Sequence, residues 1–317
     1  MKVDEKTVAI CMATYNGEDY LDEQIQSILN QDDSNWILYI SDDSSIDNTR
    51  NIIRKYCKQK SDQIFLIDGP ARHSATINFI ELLKFVANTT TCSYFMFCDQ
   101  DDVWIKNKIS LSRLAMEKVT RKENLPVLVH SDLIVVDKNL KVLNESLMSM
   151  RSLNPYKKDL AHLLIQNNVT GCTMFFNRSL LELSLKVTKL SNIAMHDWWI
   201  ALVAAAFGNI EYINTPTILY RQHANNVVGA KKVRSFHFVS TRLFMRRHIK
   251  ATFNSAFEQA RLLSNCYCSL LPTTSKTILI EFLKIPQKKK IKRIYLTIKH
   301  RFLKQGIIQI LGELIFI

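Results

Sequence analysis

The chain has 317 residues, 47% of them hydrophobic, with 42 Lys and Arg against 29 Asp and Glu and a formal net charge of +13. That apolar fraction excludes a disordered chain, and seven Gly with six Pro exclude collagen-like and low-complexity repeats. Seven scattered Cys without a CxxC pair point to reduced, mostly buried thiols of a cytosolic protein.

The start, MKVDEKTVAI, holds no apolar run of signal-peptide length, and no stretch reaches about 18 uncharged apolar residues, so no segment is expected to cross a bilayer. Residues 7–13 (TVAICMA) read as a buried strand, closed by a TYNG turn. Residues 18–29 place Tyr20, Leu21, Ile25, Ile28 and Leu29 on one helical face. A second strand, 36–40, ends in Ser41-Asp42-Asp43-Ser44 and leads to a helix at 47–56. A third strand at 64–67 and a helix at 75–86 follow. A fourth strand, 94–98 (YFMFC), ends in Asp99-Gln100-Asp101-Asp102, before a helix at 106–119 and an extended run at 127–136. Further on, Gly171 separates polar residues from a strand-like run, HDWW (196–199) opens an apolar helix, and a strand at 218–220 leads into Tyr220-Arg221-Gln222-His223.

Strands alternating with helices predict right-handed crossovers and a mostly parallel α/β sheet covered on both faces. Thr14, Asp42, Asp43, Asp99 and Asp101 then gather at the carboxyl ends of the strands, where open α/β sheets bind ligands. No GxGxxG or Walker motif is present, which argues against a dinucleotide or P-loop site. Two carboxylates in DQD repel unless a cation sits between them, and oxygen ligands beside room for water and phosphate suit Mg²⁺ or Mn²⁺. The plain alternative is that Asp101 or Asp102 caps the following helix. The Asp42–Asp43 pair on the same edge favours the metal site.

The charge is not evenly spread. Residues 231–317 hold 18 Lys and Arg against three acids, Glu258, Glu281 and Glu313, so the excess of cations lies in the tail. This shift sets the expected boundary between a domain at 1–230 and a basic helical region at 231–317. Within 288–304 (KKKIKRIYLTIKHRFLK), Ile291, Ile294, Tyr295, Ile298, Phe302 and Leu303 recur at helical spacing between cations. Such a helix suits an anionic membrane surface. The alternative is a helical appendage with a solvated basic face. Nucleic acid is not expected as a partner, because no aromatic platform or binding motif accompanies the charge.

VAICMATYNG, ISDDSSIDNT and FMFCDQDDVW, in this order and spacing, resemble the inverting family 2 nucleotide-sugar glycosyltransferases of the GT-A fold. With HDWW and YRQHANN, the resemblance is to bacterial rhamnosyltransferases of O-antigen and capsule synthesis, and it spans about 7–228. It implies a Rossmann-like sheet with helices on both faces and a basic C-terminal helical appendage. It implies that Thr14, Tyr15 and Asn16 line a nucleotide pocket, and that Asp42 or Asp43 accepts hydrogen bonds from base or ribose. Asp99 would touch the ribose and metal region, and Asp101 would be the main carboxylate ligand of Mg²⁺ or Mn²⁺, with His223 completing the shell. Arg221 would offer its fork of donors to phosphate. Gly171 would leave room for the donor sugar, and Asp197 would be the general base. Trp198 and Trp199 would either stack on acceptor sugar faces or belong to the core. Ser44 stands where such sequences often have Gly.

The absence of a QxxRW motif and of flanking membrane spans sets the chain apart from processive synthases. The implied donor is a dTDP- or UDP-sugar and the implied acceptor a lipid-linked oligosaccharide, met by a peripheral enzyme at the cytoplasmic face of the membrane. Two other classes fit the sequence less well. A nucleotidyltransferase normally carries a Gly-rich, basic loop after the first strand, which TYNG is not, and an inert scaffold has no need of every acid in the site.

Overall fold

The computed structural model describes residues 4–120, 125–187, 189–223 and 242–317, with the side chains of 191 and 242–250 left undescribed. Eleven strands are described: β1 (Val8–Thr14), β2 (Trp36–Asp42), β3 (Ile64–Asp68), β4 (Tyr94–Cys98), β5 (Val103–Trp104), β6 (Val127–Ser131), β7 (Ile134–Val136), β8 (Val142–Asn144), β9 (Phe175–Asn177), β10 (Asn209–Ile213) and β11 (Ile218–Arg221). The helices are α1 (Leu21–Leu29), α2 (Thr49–Gln59), α3 (Ala75–Thr89), α4 (Lys108–Val119), α5 (Leu147–Arg151), α6 (Leu160–Ile165), α7 (Arg178–Ser184), α8 (His196–Phe207), α9 (Arg242–Tyr267), α10 (Thr273–Lys284), α11 (Lys290–Lys299) and α12 (Ile307–Phe316).

Seven strands form the main sheet in the order β10-β6-β9-β4-β1-β2-β3. All neighbours pair in parallel except β9, which runs antiparallel between β4 and β6. The mostly parallel α/β sheet expected from the sequence is therefore present. β1 and its neighbours are apolar at nearly every position because both faces are covered, and the strand period of two divides them between two cores. Ala9, Cys11, Phe95 and Phe97 face α3, α6, α7 and α8. Val8, Ile10, Met12, Met96 and Cys98 face α1, α2 and α4.

A second sheet of four short strands, β5-β11-β7-β8, was not foreseen. Antiparallel pairing of β5 with β11 places residues 221–223 beside the turn that follows β4. The expected boundary at 229–230 lies outside the described residues. Beyond it, Phe253, Ala256, Leu263, Tyr267, Leu279 and Phe282 pack into the same core as α8. Trp199 stacks on Tyr267 with centroids 6.1 Å apart, and Ser275 Oγ donates to the Ala206 carbonyl at 2.7 Å. No described helix is long and apolar enough to cross a membrane.

Candidate active site

The register of β1, β2 and β4 brings the TYNG turn, the DDSS turn and the DQDD turn to one edge. Thr14 pairs with Asp42, and Met12 with Cys98. Gln100 clamps the first turn to the third: its Oε1 accepts from Tyr15 N at 2.9 Å and its Nε2 donates to Tyr15 O at 3.0 Å. Gly17 leaves room for that amide, since a Cβ there would meet Gln100 Oε1 at 2.4 Å. Asn16 ties the first turn to the second: its N donates to Ser45 Oγ, and its Oδ1 accepts from Ile46 N, both at 2.9 Å. Sequence reasoning missed Gln100; its only signal was its place between two aspartates.

Asp42 and Asp43 differ in what they can still do. Asp42 accepts from Thr14 Oγ1, from Ser45 N and Oγ, and from Arg50 Nη1. Those four donors fill its lone pairs, so it braces the loop and has no acceptor left for a base or ribose. Thr14, buried beneath it, has the same bracing part. Among the described residues, Asp43 accepts only from Arg72 N at 2.9 Å and Ser74 N at 3.1 Å and keeps acceptor capacity. Tyr15 is exposed, its ring edge-on to His73 at 4.8 Å. Asn16, Ser44, Ala71 and His73 all have positive φ, so strained backbone gathers in the turns around Asp42 and Asp43. The Ser44 departure thus has a physical form: φ of 65° is a conformation glycine adopts more easily.

Asp101 and His223 meet at the rim, Nε2 to Oδ2 at 2.7 Å, both partly open to solvent. A cleft of about 460 Å³ lined by Tyr20, Lys138, Gln222 and His223 borders the pair. Arg221 is almost wholly buried and is not a phosphate fork. Its Nε donates to the Asp101 carbonyl at 2.9 Å, its Nη1 to the Lys138 carbonyl at 2.6 Å, and its Nη2 pairs with Glu23, while its backbone N donates to Asp102 Oδ1 at 3.1 Å. It holds the DQDD turn in shape. Neither Asp101 nor Asp102 caps α4, whose first residue follows Asn107.

Behind the rim, Asp99 and Asp102 are pushed above the ordinary carboxylate range, first by burial and then by Asp101, with Asp197 adding to the effect on Asp99 and Asp99 to that on Asp102. Among the described residues, Asp102 Oδ2 has no N–H or O–H donor, and only the neighbouring Cys172 thiol bonds this carboxyl from a side chain. Asp99, Asp102 and Cys172 offer ligand atoms within 4.8 Å, but burial raises the Cys172 thiol and keeps it protonated. Crowded, under-neutralised carboxylates with a histidine at the open edge fit a hard divalent cation held by Asp101 and His223, with Asp99 behind them.

Asp197 lies in the first turn of α8. Burial lifts it to about 6, although backbone N–H groups of Trp198 and Gly171 and the charge of Arg151 pull it down. It is within electrostatic reach of Asp99, so α8 and β4 bring Asp197 and the rim carboxylates to one place. Gly171 also has a reason within the fold to lack a side chain. A Cβ there would meet His196 Nε2 at 2.8 Å, so the missing side chain makes room for the His196 ring. That ring stacks on Phe79 at 4.2 Å, and burial holds it neutral with its pKa near 3. Trp198 and Trp199 are core residues and face no sugar: Trp198 Nε1 donates to the Leu163 carbonyl at 2.7 Å and Trp199 Nε1 to the Ser184 carbonyl at 3.0 Å. Tryptophan buried on an apolar helix satisfies its N–H locally, which sequence cannot distinguish from a stacking role.

A mostly parallel sheet with acidic turns on its carboxyl edge, and a buried carboxylate, Asp197, within electrostatic reach of them, is an arrangement suited to a sugar transferase. The chain matches the family described as "Glycosyl transferase family 2" over residues 9–183, and it belongs to that family. It is 31% identical over 226 residues to the dTDP-rhamnosyl transferase RfbG of Shigella flexneri, covering 69% of this chain and 74% of that one. It is 26% identical over 181 residues to WfgD of Escherichia coli, named a UDP-Glc:alpha-D-GlcNAc-diphosphoundecaprenol beta-1,3-glucosyltransferase, covering 57% of this chain and 64% of that one. In fold it is similar to S. aureus TarS 1-349 in complex with UDP, with a TM-score of 0.52, 13% identity and coverage of 93% and 87%. The mannosyltransferase PcManGT of Pyrobaculum calidifontis, in complex with GDP-Man and Mn²⁺, gives 0.50, 15%, 93% and 81%. The chain is a glycosyltransferase of the GT-A fold.

Proposed function

We propose that the chain transfers a sugar, L-rhamnose or a hexose, from a dTDP- or UDP-linked donor to a hydroxyl of a lipid-linked glycan in cell-surface polysaccharide synthesis, with inversion at the anomeric carbon. Residues 1–230 carry the chemistry, and the enzyme works as a peripheral protein at the cytoplasmic face of the membrane. The observation that carries this reading is Asp197, lifted to about 6 and set within reach of Asp99 beside the Asp101–His223 pair. The names of RfbG and WfgD support the donor and acceptor classes.

Asp197 takes the proton of the acceptor hydroxyl as that oxygen bonds the anomeric carbon and the bond to the nucleoside diphosphate breaks. With one base and no carboxylate assigned as nucleophile, a single displacement inverts the centre. Asp101 and His223, with Asp99 behind them, would hold Mg²⁺ or Mn²⁺. Such an ion neutralises charge on the departing diphosphate. Asp43 reads base or ribose with its remaining acceptors, and Tyr15 and Asn16 form the wall of the nucleotide recess. Arg221, Asp42 and Gln100 keep the three turns in register.

A panel of nucleotide sugars, each with and without Mn²⁺, tests the donor class by thermal shift, because a ligand that binds only the folded chain raises its melting temperature. A dTDP- or UDP-sugar should give the largest rise, and only with the metal. If every nucleotide sugar leaves the transition unmoved, the reading is wrong.

A further inference from the structure

The last two helices present an apolar surface that the core does not use. On α12, Ile307 is 78% exposed, and Ile308, Leu311 and Ile315 are 56–58% exposed. Their spacing puts them along one side of the helix. The helix carries a single charged residue, Glu313, which is buried and accepts from Lys304 N at 2.6 Å. On α11, Ile291, Tyr295 and Ile298 form a second exposed stripe, with Lys292 and Lys299 over the Tyr295 ring at 4.8 and 5.8 Å. Residues 288–304 hold eight Lys or Arg and no acid.

The opposite side of α12 is fixed to the catalytic half. Gln305 N donates to Gln166 Oε1 at 2.7 Å, Gln166 Nε2 to Gln309 Oε1 at 2.8 Å, and Gln309 Nε2 reaches the Arg151 carbonyl at 3.4 Å. Arg151 in turn is one of the charges acting on Asp197. The uncharged ridge is therefore tethered through a few side chains to the mouth of the site.

We infer that α12 inserts its aliphatic ridge into the interface of an anionic lipid bilayer while the cations around α11 engage the headgroups, so that the mouth at Asp197 is held at the membrane surface. Four adjacent aliphatic side chains left in water are costly on a soluble face, and lipid removes that cost. The cations of the preceding helix complement anionic headgroups. A protein partner fits less well, since lysine is depleted from the cores of protein interfaces. Nucleic acid fits less well, since α12 offers a phosphate backbone no cation. This inference deepens the transferase reading, and rests on it, only as to what the membrane brings to Asp197; docking itself is independent of catalysis.

The test is sedimentation of the full chain with vesicles, without any nucleotide sugar. Vesicles containing phosphatidylglycerol should carry down the chain, and pure phosphatidylcholine should carry far less. The triple variant Ile307→Ser, Leu311→Ser, Ile315→Ser changes only exposed positions; it should unfold at the temperature of the unchanged chain and bind the anionic vesicles at least about tenfold more weakly. On vesicles, amides of 307–316 should exchange more slowly. Equal sedimentation of the variant and the unchanged chain overturns the inference. So does a concentration-dependent dimer, or retention of an oligonucleotide, in place of vesicle binding. Because no donor is present, a chain that fails to transfer sugar can still pass, and an active enzyme can still fail.

Discussion

Replacing Asp197 by Asn should stabilise the folded chain while removing its activity. Burial holds this carboxyl at about 6, roughly two pH units above an ordinary aspartate. At about 1.36 kcal/mol for each unit, ionised Asp197 weakens the fold by up to about 3 kcal/mol near neutrality. Asn keeps one acceptor, so one of the backbone N–H donors from Gly171 and Trp198 loses its partner, at about 1 kcal/mol. A net gain of about 2 kcal/mol remains, or about 4 °C for a chain of this size. The sign fixes its pH dependence. Unfolded Asp197 ionises first, so the native chain loses stability as pH rises from about 4 to about 6. The advantage of the variant should therefore be complete at pH 8 and be replaced by a deficit of up to about 1 kcal/mol at pH 4. Thermal unfolding of both proteins across that range, without ligands, measures it, and transfer by the variant should fall by about two to four orders of magnitude. A variant less stable than the unchanged chain at pH 8, or a difference that ignores pH, would show that Asp197 is not held ionised at a cost.

Three further outcomes follow from the same geometry. Gly171→Ala should lower stability by about 1–3 kcal/mol through contact with His196, and adding His196→Ala should recover part of the loss; without any recovery, the ring is not the obstacle. Trp199→Ala should cost about 3–5 kcal/mol in denaturant unfolding, as a core truncation, and loss confined to acceptor affinity would restore its sugar-stacking role. The pH profile of kcat/KM should fall on the acid side with a midpoint near 6, because Asp197 must be ionised to accept a proton; a flat profile down to pH 4.5 removes it as the base.

The strands β1 to β4 and helices α1 to α4 were legible because continuous apolar runs and helical periodicity are strong signals in a sheet covered on both faces. β5 has two residues and β8 three, too few for any period, so the second sheet stayed hidden, and the strand-like run after Gly171 gave no sign that β9 runs antiparallel. The acidic turns could be read as a shared edge, but not the division of labour between them. Asp42 is saturated and Asp43 is not because of Ser45 and Arg50, whose side chains no pattern aims. Arg221 looked like a phosphate ligand because its planar fork of donors suits phosphate, yet β11 ends against the turn that this side chain braces. Charge marked the tail as basic; only the fold shows which side of α12 is left bare.

The central claim is that the acids of the β4 edge, with His223, support departure of a nucleoside diphosphate. Release of nucleoside diphosphate from the preferred donor, followed with Mn²⁺ and then with chelator, for the unchanged chain and for Asp101→Ala, addresses it directly. The account predicts metal-dependent release that Asp101→Ala lowers by at least about a thousandfold. Release that continues at a similar rate in chelator, or in Asp101→Ala with Mn²⁺ present, would contradict it.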